Sequence, residues 1–135
     1  MKTVTVVCSL IHDAHGRVLM ARRSADADRP SMWEYSGGKV EGDEAERTAL
    51  VRELREELGI QVRVGRLVSV CNIEFEIKAR LLLYHCVIAK GQLTPITAVE
   101  LEWFFPQEAI KNLPMLPTAY LFYEDIREFL EGVER

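Results

Sequence analysis

The stretch from Gly38 to Ile60, GKVEGDEAERTALVRELREELGI, decides the fold of this chain. Its apolar and acidic residues separate onto two sides when they are placed at the 100° per residue of an α-helix. The apolar side consists of Leu50, Val51, Leu54 and Leu58. The acidic side consists of Glu53, Glu56 and Glu57. The pattern predicts an amphipathic helix from about Glu44 to Leu58, with one face docked and the other forming a carboxylate cluster.

The two ends of this helix also carry sequence signals. Asp43, followed three residues later by Glu46, matches the capping box that satisfies free N–H groups at a helix start. Gly59 directly follows the last apolar turn, where a left-handed glycine commonly ends a helix. We therefore expect a defined start and a defined end.

Three carboxylates on one helical face repel one another, so another interaction must offset that repulsion. One explanation is a solvated face screened by Arg47, Arg52 and Arg55, which is the usual fate of charge runs. The other is a site for a hard divalent cation, because Mg²⁺ and Mn²⁺ prefer carboxylate oxygens together with substrate phosphates. The glycine pair ahead of the helix, Gly37 and Gly38, favours the cation site.

Length and composition limit the remaining possibilities. The chain has 135 residues, of which 48% are apolar, and this suits a single domain spanning residues 1–135. Its net charge of −4 argues against a polymeric nucleic acid partner. No apolar run reaches the length of about 18 residues that a membrane helix needs, and the N-terminus lacks a signal-peptide cleavage site. We expect a cytoplasmic monomer or homodimer that binds a small molecule and no membrane.

The rest of the chain predicts strands followed by helices. Residues 3–11 and 17–22 are expected to form a hairpin around a turn at 13–16. Residues 61–76 and 79–89 predict a second, longer hairpin, and residues 101–105 predict another strand.

Near the C-terminus, Pro106 is expected to begin a short helical turn that ends at Ile110, because proline suits the first helical position. The last helix is predicted from about Thr118 to Glu131, with an apolar stripe of Phe122, Ile126, Phe129 and Leu130. This order of elements indicates an α/β layered domain with a mixed sheet. The three cysteines are odd in number and widely spaced, so they are expected to be reduced core residues. They are Cys8, Cys71 and Cys86.

The same stretch fills every position of the pattern G-x5-E-x7-R-E-U-x-E-E-x-G-U, in which U is aliphatic. The residues that fill it are Gly38, Glu44, Arg52, Glu53, Leu54, Glu56, Glu57, Gly59 and Ile60. In this pattern the chain resembles the Nudix hydrolases, and the segment from Met20 to Ile60 resembles their MutT-type and CTP pyrophosphohydrolase branches. The resemblance implies the Nudix α/β/α sandwich. It also implies cleavage of a nucleoside triphosphate to a monophosphate and pyrophosphate.

The resemblance further implies a role for individual residues. The expected ligands of Mg²⁺, or of Mn²⁺, are the carbonyl of Gly37 and the carboxylates of Glu53, Glu56 and Glu57. Glu53 is expected to activate the attacking water, Arg52 to orient it, and Glu44 to support the cluster. Arg23 matches the phosphate-binding arginine of the MutT branch.

One departure from the family pattern concerns a fifth carboxylate. Many relatives carry a further acidic ligand shortly before the tryptophan of a later strand, and Thr97 and Ala98 occupy those positions here. Glu100 and Glu102 are nearby substitutes, and the alternative is that both are ordinary polar strand residues.

Recognition of the base is expected to depend on shape and stacking. Relatives place an Asn or Asp at the position of Ala119, and alanine cannot hydrogen-bond a base edge. Lys78 stands where the MutT branch has an arginine that contacts the base, and lysine lacks its bidentate geometry. Trp33, Tyr35 and Phe75 are candidates for stacking on the base, with core packing as the alternative. We expect moderately broad specificity.

Two other functions stay open at this stage. One is hydrolysis of a different substrate in which a nucleoside diphosphate is linked to another group. The other is a Nudix-fold module that binds nucleotide without catalysis. Such a module would be expected to lose acidic residues of the pattern, and this sequence keeps all of them.

Overall fold

The computed structural model describes residues 2–74 and 77–133. Within these ranges the chain forms seven strands and four helices. In chain order they are β1 (Thr3–Leu10), β2 (Val18–Arg22), β3 (Trp33–Glu34), β4 (Gly37–Lys39), α1 (Glu46–Leu58), β5 (Ile60–Glu74), β6 (Lys78–Gly91), β7 (Glu100–Phe104), α2 (Pro106–Asn112), α3 (Pro117–Leu121) and α4 (Tyr123–Glu131). No helix in the described ranges is long and apolar enough to span a membrane.

The strands form two sheets. The larger sheet has the order β4-β1-β6-β5, and it is mixed because β1 and β6 run parallel while its other neighbours are antiparallel. The smaller sheet has the order β3-β2-β7 and is antiparallel. The predicted mixed sheet and the predicted long hairpin, which is β5 with β6, are both confirmed.

Strand β6 shows how the layers are held together. Its Leu82 is fully buried and packs in the core cluster that contains the apolar face of α1. Leu81 and Leu83 are also buried, but they pack with the C-terminal helices. Successive side chains of a strand point to opposite faces, so one continuous apolar run covers both faces of the sheet. This arrangement is the predicted α/β/α sandwich.

The first predicted hairpin is wrong. Strand β1 lies in the larger sheet and β2 lies in the smaller one. Only the turn between them is hairpin-like, with a bridge between His12 and Val18 and a 2.9 Å hydrogen bond from the Leu19 N–H to the Ile11 carbonyl. Both edges of β1 are already paired, with β4 on one side and β6 on the other, so β2 has no edge of β1 to join.

The predicted capping box is also wrong, whereas the predicted glycine end is confirmed. Helix α1 begins at Glu46 after Ala45, without a side-chain cap. The Glu46 carboxylate instead accepts hydrogen bonds from β6, namely from Arg80 Nη1 at 2.9 Å and from Tyr84 Oη at 3.0 Å. Gly59 has a left-handed φ of 69° and donates its N–H to the Arg55 carbonyl.

The C-terminal helix differs from the prediction because it is divided in two. Helix α3 ends at Leu121 and α4 begins at Tyr123, with Phe122 between them. Phe122 is buried, as are Ile126 and Leu130 of the predicted stripe, so the break lets the aromatic ring enter the core. The cysteines are free thiols, of which Cys86 is buried and the other two are half-buried.

The close approach of β5 and β6 gives a test of the fold. Gly91 has a φ of 93°, and a Cβ there would lie 2.7 Å from the Gly59 carbonyl oxygen. Gly16 also has a positive φ, of 83°, but a Cβ there would meet nothing within 4 Å. We expect Gly91→Ala to lower the free energy of unfolding by about 2–4 kcal/mol, because it combines left-handed strain with a backbone clash.

The matched control is Gly16→Ala, which has the strain without the clash and should cost about 1–2 kcal/mol. Urea unfolding followed by circular dichroism measures both values. Equal losses for the two variants would show that the contact between Gly91 and Gly59 is not tight.

Candidate active site

The glycine pair lies directly beside the acidic face of α1. Gly37 pairs with Cys8 and Gly38 pairs with Val7 across the β1–β4 ladder. A Cβ on Gly37 would collide with the Val7 carbonyl, and a Cβ on Gly38 would lie 2.6 Å from both carboxylate oxygens of Glu53. Side chains are thus excluded at both positions, for different reasons. At Gly38 the reason is the placement of Glu53.

Arg52 connects the acidic residues. Its guanidinium binds Glu44 in a bidentate manner, with Nε–Oε2 at 2.7 Å and Nη2–Oε1 at 2.9 Å. The remaining nitrogen, Nη1, donates to Glu53 at 3.0 Å and to Glu56 at 3.2 Å. Hydrogen bonding to Arg52 lowers the pKa of Glu44 to about 2. Glu44 therefore stays ionised and fixes the plane of the guanidinium that holds the other two carboxylates.

Glu57 is the carboxyl group of this cluster whose ionised form is least compensated. Its Oε2 atom is buried and has no hydrogen-bond partner among the described residues. Burial, and then the charges of Glu53, Glu34 and Glu56, raise the pKa of Glu57 to about 8, although a hydrogen bond from the Gly37 backbone opposes this. Burial also raises the pKa of Glu53, against the opposing effect of Arg52. The site thus concentrates carboxyl groups whose ionised forms the neighbouring cations stabilise only in part.

This donor set fits a divalent cation. It consists of oxygen atoms, and it includes a buried carboxylate oxygen without a partner among the described residues. As the side chains stand, no three acidic, histidine or cysteine side chains of residues 2–74 and 77–133 converge closely enough to hold an ion. In this arrangement Arg52 contacts both Glu53 and Glu56. The Glu56 side chain is 55% exposed, so its contact with Arg52 is less enclosed than those of Glu44 and Glu53.

A further carboxylate, which the sequence analysis missed, faces this cluster. Glu34 is paired with Arg23, whose Nη1 lies 3.2 and 3.3 Å from its two oxygens. Burial raises the pKa of Glu34 despite this pairing. Strand alternation could have found it: Trp33 and Tyr35 are both buried in one core cluster, so the residue between them must face the other way.

Two cavities meet at the Arg23–Glu34 pair. The first has a volume of about 290 Å³, and Glu57 and Ser36 contribute polar groups to its lining. The second has a volume of about 220 Å³ and is more apolar. Its lining includes Cys8, Tyr35, Leu81, Ala119 and Phe122. Burial raises the pKa of the Cys8 thiol to about 12, which keeps this wall neutral.

Several predicted site residues come together in these cavities. Arg23 lines both of them, Glu57 lines the first, and Tyr35 and Ala119 line the second. Thr97 and Ala98, where the resemblance implied a further acidic ligand, also line the first cavity and bring no carboxylate to it. Glu34 provides a carboxylate in that cavity instead.

Other predicted residues lie elsewhere. Trp33 is buried, with its ring edge-on to Phe104 at 4.9 Å between centroids, and it lines neither cavity. Lys78 lies on the face of β6 that is turned toward α1, opposite to the face of Leu81, and its Nζ is 3.6 Å from Glu74. Phe75 lies outside the described residues.

The two suggested substitutes for the fifth carboxylate face away from the first cavity. Glu100 pairs with Arg22, at 2.9 Å between Oε1 and Nε. Glu102 lies opposite Met20 in the β2–β7 ladder. Ala21 lines the first cavity, and strand alternation places its neighbours on the other face of the smaller sheet.

Comparison with known proteins now identifies the family. The family model of the NUDIX domain matches residues 1–126. The chain belongs to the NUDIX family. The expected resemblance is therefore confirmed.

Three relatives match this chain over most of their own length. The chain is 40% identical over 120 residues to the CTP pyrophosphohydrolase of Escherichia coli K12, covering 87% of this chain and 86% of that protein. The solution structure of the E. coli ORF135 protein is 37% identical, with a TM-score of 0.83, over 96% of this chain and 91% of that one. The MutT protein of Methanosarcina mazei Go1 is 25% identical, with a TM-score of 0.79, over 94% of each chain.

The contact between Gly38 and Glu53 in this Nudix site gives a second test. We expect Gly38→Ala to displace the Glu53 carboxylate, which is the mobile end of a side chain, and to leave the backbone in place. Turnover should fall by about 10²-fold, because a misplacement of about 1 Å is sufficient for such a loss. The free energy of unfolding should change by less than about 1 kcal/mol.

Gly42→Ala is the control, because a Cβ at Gly42 would meet nothing within 4 Å, although its φ is 53°. It should lose stability and keep its turnover. Unchanged turnover in Gly38→Ala would show that the position of Glu53 does not limit the reaction.

Proposed function

We propose that this chain is a metal-dependent pyrophosphohydrolase, a hydrolase of acid anhydrides, that cleaves nucleoside triphosphates to a monophosphate and pyrophosphate. The observation that carries the proposal is the carboxylate cluster organised by Arg52, which opens on a polar cavity next to an apolar one. A nucleotide has the same division, with an anionic chain at one end and a flat base at the other. The CTP pyrophosphohydrolase activity of the E. coli relative also supports it.

The acidic site suits a reaction whose main barrier is the negative charge of the triphosphate. Triphosphate oxygens repel an anionic nucleophile, so the site must offset negative charge and place a water in line with the leaving group. The Gly37 carbonyl with Glu53, Glu56 and Glu57 would hold Mg²⁺, or Mn²⁺. When bound, this ion supplies charge neutralisation and acidifies water.

The remaining steps belong to the side chains. Glu53 is the general base that removes a proton from the attacking water, since its side chain is mostly buried and its pKa is raised. Arg52 orients Glu53 through the 3.0 Å contact, and Glu44 holds Arg52. The phosphates occupy the first cavity with Arg23 at its edge, and the base occupies the second cavity next to Tyr35.

The lining of the second cavity favours broad base recognition. Ala119 offers it only a methyl group, and Cys8 offers a neutral thiol. A pocket that relies on shape and stacking separates substrates by roughly 10- to 200-fold, whereas matched hydrogen bonds can reach about 10⁴. Pyrimidine and oxidised nucleotides both belong to the proposed range. A cytoplasmic location and a single catalytic domain complete the proposal.

The direct test is a nucleotide panel with Mg²⁺, in which pyrophosphate and orthophosphate are measured separately. We expect pyrophosphate from several nucleoside triphosphates, with kcat/KM values within about two decades of one another. Release of orthophosphate, or activity restricted to nucleoside diphosphate sugars, would assign a different reaction to the site.

The general base gives a third test. We expect Glu53→Gln to lower kcat by roughly 10²–10⁴-fold, because an amide cannot accept the proton of water. The control is Glu46→Gln on the same helix, whose carboxylate binds Arg80 and Tyr84 away from the cluster. It should reduce stability slightly and leave turnover unchanged. Wild-type turnover in Glu53→Gln would show that another residue is the general base.

The metal gives a fourth test, which does not depend on turnover. Mg²⁺ that binds only the folded cluster should raise Tm progressively with its concentration. At pH 7 the metal-free Glu57→Gln protein should melt several degrees higher than the wild type. Burial raises the pKa of Glu57 to about 8, so the wild type must take up a proton there on folding, and the amide needs none. The response of the variant to Mg²⁺ should shrink. Differential scanning fluorimetry with Mg²⁺, and with Na⁺ at equal ionic strength, measures both effects. The same response in both proteins would exclude Glu57 as a ligand.

A further inference from the structure

The loop between β6 and β7 binds the end of helix α1. The Thr94 N–H donates to the Leu58 carbonyl at 2.9 Å, and the Ile96 N–H donates to the Glu57 carbonyl at 3.1 Å. Carbonyls in the last turn of a helix have no partner within the helix, so the loop supplies two of the bonds that this turn lacks. Glu57, an expected ligand of the divalent cation, is thus held at its backbone by a segment that is distant in sequence.

This part of the loop has a restricted shape. The Ile96 N–H is shared, because it also donates to the Thr94 carbonyl at 2.9 Å. A hydrogen bond between residues two apart closes a γ-turn, and the central residue here is Pro95, whose ring restricts φ to about −65°. The Thr94 hydroxyl also donates to the Gln92 carbonyl at 2.8 Å. We call residues 94–96 the γ-turn segment. It presents its N–H groups to α1 with little conformational freedom.

The γ-turn segment contacts α1 mainly through its backbone. The side chains of Thr94, Pro95 and Ile96 are all exposed. The segment nevertheless lies close to the helix end, since a Cβ at Gly59 would be 3.5 Å from Cδ1 of Ile96 and 3.7 Å from Cβ of Thr94. Burial of apolar side chains therefore does not account for this contact, whereas the two hydrogen bonds to α1 do.

The position of Glu57 requires such support. Its side chain lines the first cavity, and its Oε2 atom is buried without a partner among the described residues. The neighbouring charges of Glu53, Glu34 and Glu56 also disfavour its ionised form. Unwinding of the last turn of α1 would release this side chain to water and remove the cost of burying it. The hydrogen bonds from the γ-turn segment oppose that movement.

We propose that the γ-turn segment is a positioning element of the metal site, and that the Ile96 N–H keeps the Glu57 carboxyl group where a divalent cation binds it. This inference rests on the proposed function, because it takes Glu57 as a ligand. Thr97 and Ala98 follow the segment directly and line the first cavity without a carboxylate. The contribution of this loop to the ion therefore lies in the helix end that it holds.

The test removes the N–H and leaves the acidic residues in place. Ile96→Pro removes it, and Pro95→Gly keeps it but frees the backbone that presents it. The matched control is Ile96→Ala, which shortens the same side chain and retains the N–H. Gly16→Ala is a second control, because it introduces left-handed strain at the turn between β1 and β2.

The first measurement is Mn²⁺ binding to the metal-free protein without nucleotide. Unbound Mn²⁺ gives an electron paramagnetic resonance signal, so a titration yields the Kd. We expect Ile96→Pro to raise this Kd by about 10-fold, the size of one hydrogen bond, and Pro95→Gly to raise it by about 3-fold. Both controls should keep the wild-type Kd, although Gly16→Ala loses stability.

The second measurement is amide hydrogen exchange of the metal-free protein. In Ile96→Pro and Pro95→Gly the amides of residues 57–59 should exchange faster than in the wild type, and those at the start of α1 should not change. Turnover supplies a third comparison. The Mg²⁺ concentration that gives half-maximal activity should rise about 10-fold in Ile96→Pro, in line with its Kd, while kcat at saturating Mg²⁺ stays near the wild-type value.

A double-mutant cycle shows whether the γ-turn segment acts through Glu57. In Glu57→Gln the ligand is already altered, so the addition of Ile96→Pro should change the Kd by less than about twofold. Fully additive losses would overturn the inference, because the segment would then affect the ion by another route.

The remaining outcomes separate this inference from the proposed function. An unchanged Kd in folded Ile96→Pro would overturn the inference, and so would an equal loss in Ile96→Ala. If Ile96→Pro does not fold, an unchanged Kd in Pro95→Gly overturns it. A raised Kd in Ile96→Pro, in a protein that releases pyrophosphate from no nucleotide, would overturn the proposed reaction and support the positioning role. A wild type that binds no Mn²⁺ would overturn both.

Discussion

The bidentate pair between Arg52 and Glu44 is the interaction on which the site depends. Both side chains are mostly buried, with 19% and 17% of their surfaces exposed, so the pair is more rigid than a surface ion pair. Its effect goes beyond charge, because a fixed guanidinium plane also fixes the direction in which Nη1 donates its hydrogen bonds. Glu53 and Glu56 lie in that direction. The cluster is therefore positioned by a cation that is itself positioned by a further carboxylate.

The backbone next to the cluster is constrained just as strongly. Gly37 fits against β1 only because it lacks a side chain, and Gly38 leaves the space in which the Glu53 carboxylate lies. Glu57 then remains as a buried acid with one oxygen unpartnered among the described residues, which is costly for the protein alone. Such stored electrostatic cost is typical of sites that bind a charged ligand. Stability and function thus make opposing demands on the same few residues.

The features that were predictable from the sequence depend on local spacing. The helical period of the apolar and acidic residues predicted α1 and its two faces, and Gly59 predicted where the helix ends. Both signals lie within a few residues of the structure that they specify. The beginning of α1 was not predictable in the same way. The sequence predicted that the Glu46 side chain caps the start of its own helix. Its carboxylate instead accepts hydrogen bonds from Arg80 and Tyr84, which are more than 30 positions away.

Strand partners and side-chain directions were predicted less well for the same reason. The hairpin of β1 with β2 was plausible locally, but β4 and β6 occupy both edges of β1. Trp33 was a reasonable candidate for stacking until its contact with Phe104 placed it in the core. Glu34 was overlooked because its strand has only two residues, so the sole indication of its direction is that Trp33 and Tyr35 flank it. Its role follows only from the burial of both neighbours.

The parallel pairing of β1 with β6 has a consequence for how the chain folds. Val7 lies opposite Leu82, and both belong to the cluster that covers the apolar face of α1. Contacts between such distant positions require closure of a long loop before they become favourable, and this slows folding. On a ribosome, the acidic helix would emerge well before the strand that completes its docking surface. Assembly of the active site is thus expected to be a late event in folding, although its defining residues lie in the first half of the chain.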